Sequence, residues 1–222
     1  MGVTAIDEAR ALVADETLWP LVRDFLWDFA PQVHRSWLDG VPGISAISGI
    51  CGNPRVKAHV LSSLGVRPCF HAFPKGDWSR LLLLDGETLE SVSKWLGALA
   101  CADGLRRVTD GKVVRELKAS LHGVYPDVFG FTAYFKRDLV GLGDAGDDGA
   151  GALDRVVSQG LSMLNSLVAP LPESLSSRLR FKLPKREWPE GRETLDTVRE
   201  RLETALARLL KLKFPEAYTL CC

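Results

Sequence analysis

Apolar residues recur three and four positions apart through most of this chain, the spacing that gathers them on one face of an α-helix. Leu18, Leu21, Val22, Phe25, Leu26 and Phe29 form such a stripe over Thr17 to Ala30, after a shorter amphipathic stretch from Ala5 to Ala14. Pro31 is placed to open a further helix ending near Gly40, because proline at a first helical position gives up no needed hydrogen bond. Asn53-Pro54 repeats that signal with a capping side chain and predicts a helix to about Leu64. Leu89, Val92, Leu96 and Leu99 mark Thr88 to Ala102. Val113, Val114, Leu117 and Leu121 mark Asp110 to His122, with Gly123 where a left-handed residue ends a helix. Phe129, Phe131, Tyr134 and Phe135 carry Pro126 to Leu139 in aromatic form. The clearest stripe is the last: Leu195, Val198, Leu202, Ala205, Leu209 and Leu212 over Gly191 to Lys213, widened by Leu206 and Leu210 and stopped by Pro215. Trp78 to Leu84 is short and apolar, readable as a helical turn or two or as a buried strand, with helix preferred.

The stretches between these stripes are of two kinds. Residues 40–52 are rich in small side chains and read as a packed loop, while Gly65 to Gly76 holds two prolines and reads as irregular. Gly141 to Gly151 is built from glycine and aspartate and is expected to be a flexible acidic loop. Val156 to Pro172 is the longest run without a charge, but its Ser, Gln, Asn and Gly content and its length suit a buried helix, not a membrane span. Pro170 and Pro172 break that helix, and Arg178 to Pro184 then alternates cationic and apolar residues. The prediction is an all-α fold, a single globular domain of about eight to ten helices with a long C-terminal helix. Its N-terminal portion spans 1–140, the loop 141–151, and the C-terminal portion 152–222 packs on the first.

Length changes this picture little. A chain of 222 residues buries roughly 70% of its unfolded surface and needs no disulfide or metal to hold it. Charge changes it more. Twenty-eight basic residues balance 28 acidic ones, which argues against general binding to nucleic acid. The balance is uneven: Asp7, Glu8, Asp15, Glu16, Asp24 and Asp28 make an acidic head, and Arg178, Arg180, Lys182, Lys185, Arg186 and Arg192 a basic region. Such separation fits protein partners or a charged contact inside the fold. Five cysteines without paired spacing, and no signal peptide, point to a reducing cytoplasm.

The candidate chemistry thins out on inspection. Gly141, Gly143 and Gly146 match a dinucleotide fingerprint as letters, but no strand precedes them and three aspartates would repel the phosphates. Asp144, Asp147 and Asp148 lack the alternate spacing of a calcium loop, whose twelfth position here is Arg155. Cys51, His59, Cys69 and His71 lack the close pairs of a structural zinc site. No GxSxG turn is present, and His34, His59, His71 and His122 stand singly. Cys221-Cys222 has the look of a prenylated GTPase tail without the phosphate-binding loop such proteins need, so it reads as a frayed pair of thiols. No catalytic residue, cofactor or metal is expected. Of the six tryptophans, Trp37 and Trp188 lie near element ends and are expected to be exposed.

Three blocks in order resemble the SctK (YscK) family of type III secretion systems. Phe29, Pro31, His34, Trp37 and Leu38 are similar to that family's opening motif, and Leu105-Arg106-Arg107-Val108 with Gly111 and Leu117 to its central helix pair. Gly160-Leu161, Pro172, Arg178-Leu179 and Lys182-Leu183-Pro184 are similar to its closing segment. The resemblance covers about 29–184; residues 40–80 and the Gly141–Gly151 insertion match no part of it. It implies a non-enzymatic cytoplasmic adaptor of the sorting platform, at the cytoplasmic face of the bacterial inner membrane; separately, the chain is expected to be monomeric in isolation. The implied partners are the cytoplasmic domain of the inner-membrane ring protein (SctD-like) and the pod protein (SctQ-like). With the charge pattern, it makes Trp37, Arg180, Lys185, Arg186 and Trp188 the candidate partner-binding residues. Two other readings stay open: another helical adaptor or chaperone-like binding protein of a secretion machine, and a small-molecule enzyme using His34, Cys69 or His71 in a helical cleft.

Overall fold

A computed structural model of the chain describes residues 12–44, 53–139, 151–186 and 196–222. Among them 71% are helical and none is in a strand, so the fold is all-α. Two compact units interleave along the sequence. The first gathers Met1–Glu87, Leu171–Arg186 and Thr219–Cys222; the second gathers Thr88–Pro170 and Glu187–Tyr218.

In the first unit, α1 (Leu18–Trp27) starts where the Asp15 carboxylate accepts the Leu18 and Thr17 N–H groups at 2.8 and 3.0 Å. It buries Leu18, Val22, Phe25 and Leu26, and Phe25 meets the edges of Phe29 and Phe73 at 5.5 and 5.7 Å. Leu21, placed on the same stripe by its spacing, is exposed. Pro31 opens only a 3-10 turn, Ala30–Gln32, because Val33 goes extended. A new short helix, α2 (Arg35–Leu38), then begins with the His34 ring accepting the Ser36 N–H. α3 (Pro54–Ser63) follows its sequence signal, with the Asn53 side chain accepting the Arg55 N–H at 2.9 Å. Leu38, Val41, Ile44, Val56, Val60 and Leu64 form a small cluster around it. Trp78 to Leu83 is a 3-10 helix capped by Asp77.

Residues 65–77 are irregular, yet one side chain in them is a core anchor. Phe73 has φ 51°, a left-handed conformation that a bulky residue adopts at a cost of about 1 kcal/mol or more. The ring is fully buried and the Arg80 guanidinium donates to the Phe73 carbonyl at 2.9 Å, which offsets the strain.

The second unit takes α4 (Gly86–Ala100) from Thr88 onward, then α5 (Ala102–Leu105), α6 (Gly111–Ser120), α7 (Val128–Leu139), α8 (Ala152–Val168) and α10 (Asp196–Lys213). The helix between the last two, α9 (Glu173–Lys182), belongs to the first unit. α10 packs on α7 and α8, and α6 packs on α8. α4 and α8 cross at Gly97 and Gly160, where each glycine lies against the other helix's backbone. Leu202, Ala205, Leu206, Leu209 and Leu210 of α10 are buried, while Leu212 is exposed, because the stripe drifts off the core face by the last turn. The Asp138 carboxylate, nearly buried, accepts from Arg208 at 2.7 Å. The Lys213 ammonium lies 4.6 and 4.4 Å from the Trp95 and Phe131 rings and 3.7 Å from Asp127.

Pro215 ends α10 as expected but also opens α11 (Pro215–Cys221), so Cys221 is helical and buried and does not fray. Arg106 and Arg107 of the central block are exposed, and Arg106 donates to the Thr132 hydroxyl at 2.6 Å. The first amphipathic stretch lies outside the described residues up to Ala11, the packed loop from Ser45 to Gly52, and the acidic Gly-Asp loop up to Ala150.

Candidate functional site

The described candidates converge in the first unit around α9. Leu175, Arg178, Leu179 and Lys182 fall at helical spacing and are all buried, so two cations occupy the core-facing stripe. Arg178 is among the largest fully buried side chains of the described residues. Its guanidinium donates to the carbonyls of Phe25, of Leu26 at 3.3 Å and of Arg67 at 2.9 Å, and lies 5.1 and 5.2 Å from the Phe25 and Phe29 rings. Burial pushes its pKa down, with Cys69 opposing slightly.

One turn on, the Lys182 ammonium donates to the carbonyls of Leu82 at 2.6 Å and Leu84 at 2.7 Å and sits 5.1 Å from the Phe25 ring. Burial pulls its pKa down to about 7, with Asp85 opposing and the Arg178 charge adding to the fall. Both acceptors are carbonyls, so a neutral amine with two N–H groups still makes both bonds. These cations tie α1, the 65–77 segment and the Trp78–Leu83 helix to α9. The expected basic surface from Arg178 to Arg192 is corrected accordingly: Arg178 and Lys182 are interior, because the last turn of α1, the chain at Arg67 and the end of the Trp78–Leu83 helix present carbonyls with no helical partner of their own.

The outer part of the site is built on Trp37. Expected to be exposed, it is 8% exposed. Its indole N–H donates to the Leu183 carbonyl at 2.9 Å, and its ring meets Phe181 edge-on at 5.1 Å. The His34 N–H donates to the Phe181 carbonyl at 2.8 Å, and the Lys185 N–H to the Ser36 hydroxyl at 2.7 Å. α2 and the chain leaving α9 are thus bound side by side across nearly 150 residues of sequence.

Over this buried indole lie Arg180, its guanidinium 5.0 Å from the ring, and the Lys185 ammonium, 5.6 Å from it. Arg180, Lys185 and Arg186 are exposed, as expected, while Trp188 lies outside the described residues. The contacts also bring in Arg35, exposed beside Ser36, which sequence reasoning missed. Nothing local marks it; only the long-range pairing of α2 with Phe181 to Lys185 places it there.

The acidic head contributes less surface than expected. Asp15 caps α1, Asp24 holds Arg23 at 2.7 Å and Asp28 holds Lys57 at 2.8 Å. His34 is a helix cap, His59 meets the Pro42 carbonyl at 2.9 Å, and the Cys69 thiol lies 3.8 Å from the Ser174 carbonyl. Among the described residues no three His, Cys, Asp or Glu side chains are grouped to hold a metal ion, and no helix is long and apolar enough to cross a membrane. The arrangement can bind through charge and shape. No family model, curated protein or solved structure matches the chain.

Proposed function

We propose that the chain is a non-enzymatic adaptor of a bacterial type III secretion system, resembling SctK. In this reading it bridges the cytoplasmic domain of an SctD-like ring protein to an SctQ-like pod protein at the cytoplasmic face of the inner membrane. One observation carries most of the support. Phe29, His34 and Trp37 of the opening block meet Arg178, Phe181 and Leu183 of the closing segment through Arg178–Phe29, His34–Phe181 and Trp37–Leu183 contacts. Residues that carry the resemblance therefore depend on one another physically. Gly160 of the closing block has its own packing reason at the α4–α8 crossing.

The test is co-purification of the tagged full chain with the ring protein's cytoplasmic domain and with the pod protein. Capture of both is the expected result. Capture of secreted substrates alone would favour a chaperone-like protein, and capture of neither partner by folded protein removes the proposal.

A further inference from the structure

We propose that the cationic face at Trp37, with Arg180 and Lys185 over the indole and Arg35 and Arg186 exposed on the two segments paired there, is a docking surface for an acidic segment of a protein partner. The inference rests on the adaptor reading for its setting and names the chemistry of one of its contacts.

The face is assembled by the fold. The Trp37–Leu183, His34–Phe181 and Lys185–Ser36 hydrogen bonds, at 2.9, 2.8 and 2.7 Å, bring position 35 beside positions 180–186. Two of the cations are already positioned, since Arg180 and Lys185 rest 5.0 and 5.6 Å from the same buried indole. A guanidinium stacked on a ring keeps its N–H edge free for a carboxylate, and less side-chain freedom is lost when a ligand arrives.

Among the described residues the face is also uncompensated. None of the four forms an ion pair among the described residues, and neighbouring Asp39, itself exposed, pairs with none of them. Elsewhere several cations are paired: Arg23 with Asp24, Lys57 with Asp28, Lys94 with Glu90, Arg106 with Asp103 and Arg199 with Glu203. Mutual repulsion within the unpaired group is relieved by an incoming anion, which raises both affinity and encounter rate.

The type of anion follows from what surrounds the charge. Single-stranded nucleic acid needs exposed aromatic faces for its bases, and the indole here is already covered. A membrane surface held by insertion would want exposed apolar side chains beside the charge, whereas Trp37 and Leu183 are buried and Phe181 and Pro184 half-buried; attraction to anionic lipid by charge alone is what the vesicle probe tests. Carboxylates spaced along a peptide match a short arc of arginine and lysine donors.

The experiment uses the full chain and a short fluorescent peptide alternating Glu and Gly, with a Gln-for-Glu peptide and phosphatidylserine vesicles as comparison probes. The wild-type chain should bind the Glu peptide, lose it at high salt and ignore the Gln peptide. R35E/R186E changes two residues with no hydrogen bond or ion pair among the described residues, so its melting temperature should hold. Its affinity should fall at least about tenfold, the loss expected for two charge-assisted contacts. R180Q/K185Q, which removes both charges but leaves a polar side chain of the same Cβ–Cδ stem at each position, should also weaken binding. No binding of the Glu peptide, equal binding of the Gln peptide, or unchanged affinity in R35E/R186E overturns the inference; so does vesicle binding through these residues without peptide binding. The two proposals fail separately. Capture of ring and pod proteins unaffected by R35E/R186E removes the acidic-segment surface alone, and peptide binding without capture of either protein removes the adaptor alone.

Discussion

Gly160→Ala should destabilise the protein, although helix propensity alone says the opposite. Gly160 lies inside α8, where replacing glycine by alanine gains about 1 kcal/mol from the unfolded chain's lost freedom. The tertiary structure reverses the sign. A Cβ at 160 would lie 2.7 Å from the Ser93 carbonyl carbon and 2.8 Å from its Oγ, with the carbonyl oxygen closer still. At Gly97 the corresponding atoms are the Val156 carbonyl carbon and the Gly160 nitrogen, both at 2.9 Å. Comfortable contacts between such atoms need about 3.5–4.0 Å, and backbone cannot rotate aside as a side chain can. The helices would have to part by roughly 1 Å, loosening the buried residues flanking the crossing, Val92 and Leu96 on α4 and Leu161 and Leu164 on α8. Overpacking of this kind costs toward the upper end of about 1–3 kcal/mol, leaving a net loss of about 2 kcal/mol. At about 2–4 °C per kcal/mol for a chain of this size, the melting temperature should fall by about 4–8 °C. Gly130→Ala is the control, because that glycine lies in α7 with nothing within 4 Å of its Cβ position and should gain about 0.5–1 kcal/mol. The double variant G97A/G160A should lose less than the sum of the two single losses, since space opened by the first methyl group accommodates the second. Urea unfolding of the four variants decides it. A Gly160→Ala protein as stable as wild type, or more so, would refute the close crossing.

Lys182 predicts a pH dependence of stability with a definite sign. Its folded pKa, about 7, lies below the usual 10.5, so between those values the unfolded chain binds the extra proton and stability rises with pH; urea titrations should show this rise reduced in Lys182→Met relative to wild type. The Cys221 thiol, pushed up to about 12 chiefly by burial, should react with iodoacetamide only on unfolding, while half-buried Cys222 reacts faster in the native state; equal rates for the two by mass spectrometry would contradict the buried α11 end. Trp37→Phe keeps an aromatic ring for Phe181, Arg180 and Lys185 but leaves the Leu183 carbonyl without its donor. It should cost about 1–3 kcal/mol in denaturant unfolding, and an unchanged midpoint would mean that bond contributes nothing net.

Sequence alone determined the helices wherever local chemistry acts within a turn or two. The Asn53-Pro54 start, the Asp110 cap that accepts the Lys112 N–H, the left-handed Gly123 and the break at Pro170 and Pro172 are visible as letters because each acts on its own neighbours. The all-α class followed from the same periodicity. Tertiary structure decided which polar residues leave the surface. Arg178 and Lys182 read as part of a basic region suited either to a partner or to a charged contact inside the fold, and nothing local reveals that carbonyls at 25–26, 67, 82 and 84 need donors there. Trp37 read as exposed because its covering, Phe181 to Lys185, arrives from nearly 150 residues away, and that same contact recruits Arg35. Pro215 was correctly a stop for one helix and, by the same fixed φ, a start for the next, so burial of Cys221 depended on what lay against the chain end. Periodicity acts through bonded neighbours and survives in the sequence; burial of charge depends on unpaired groups elsewhere in the fold, and only folding brings the two together.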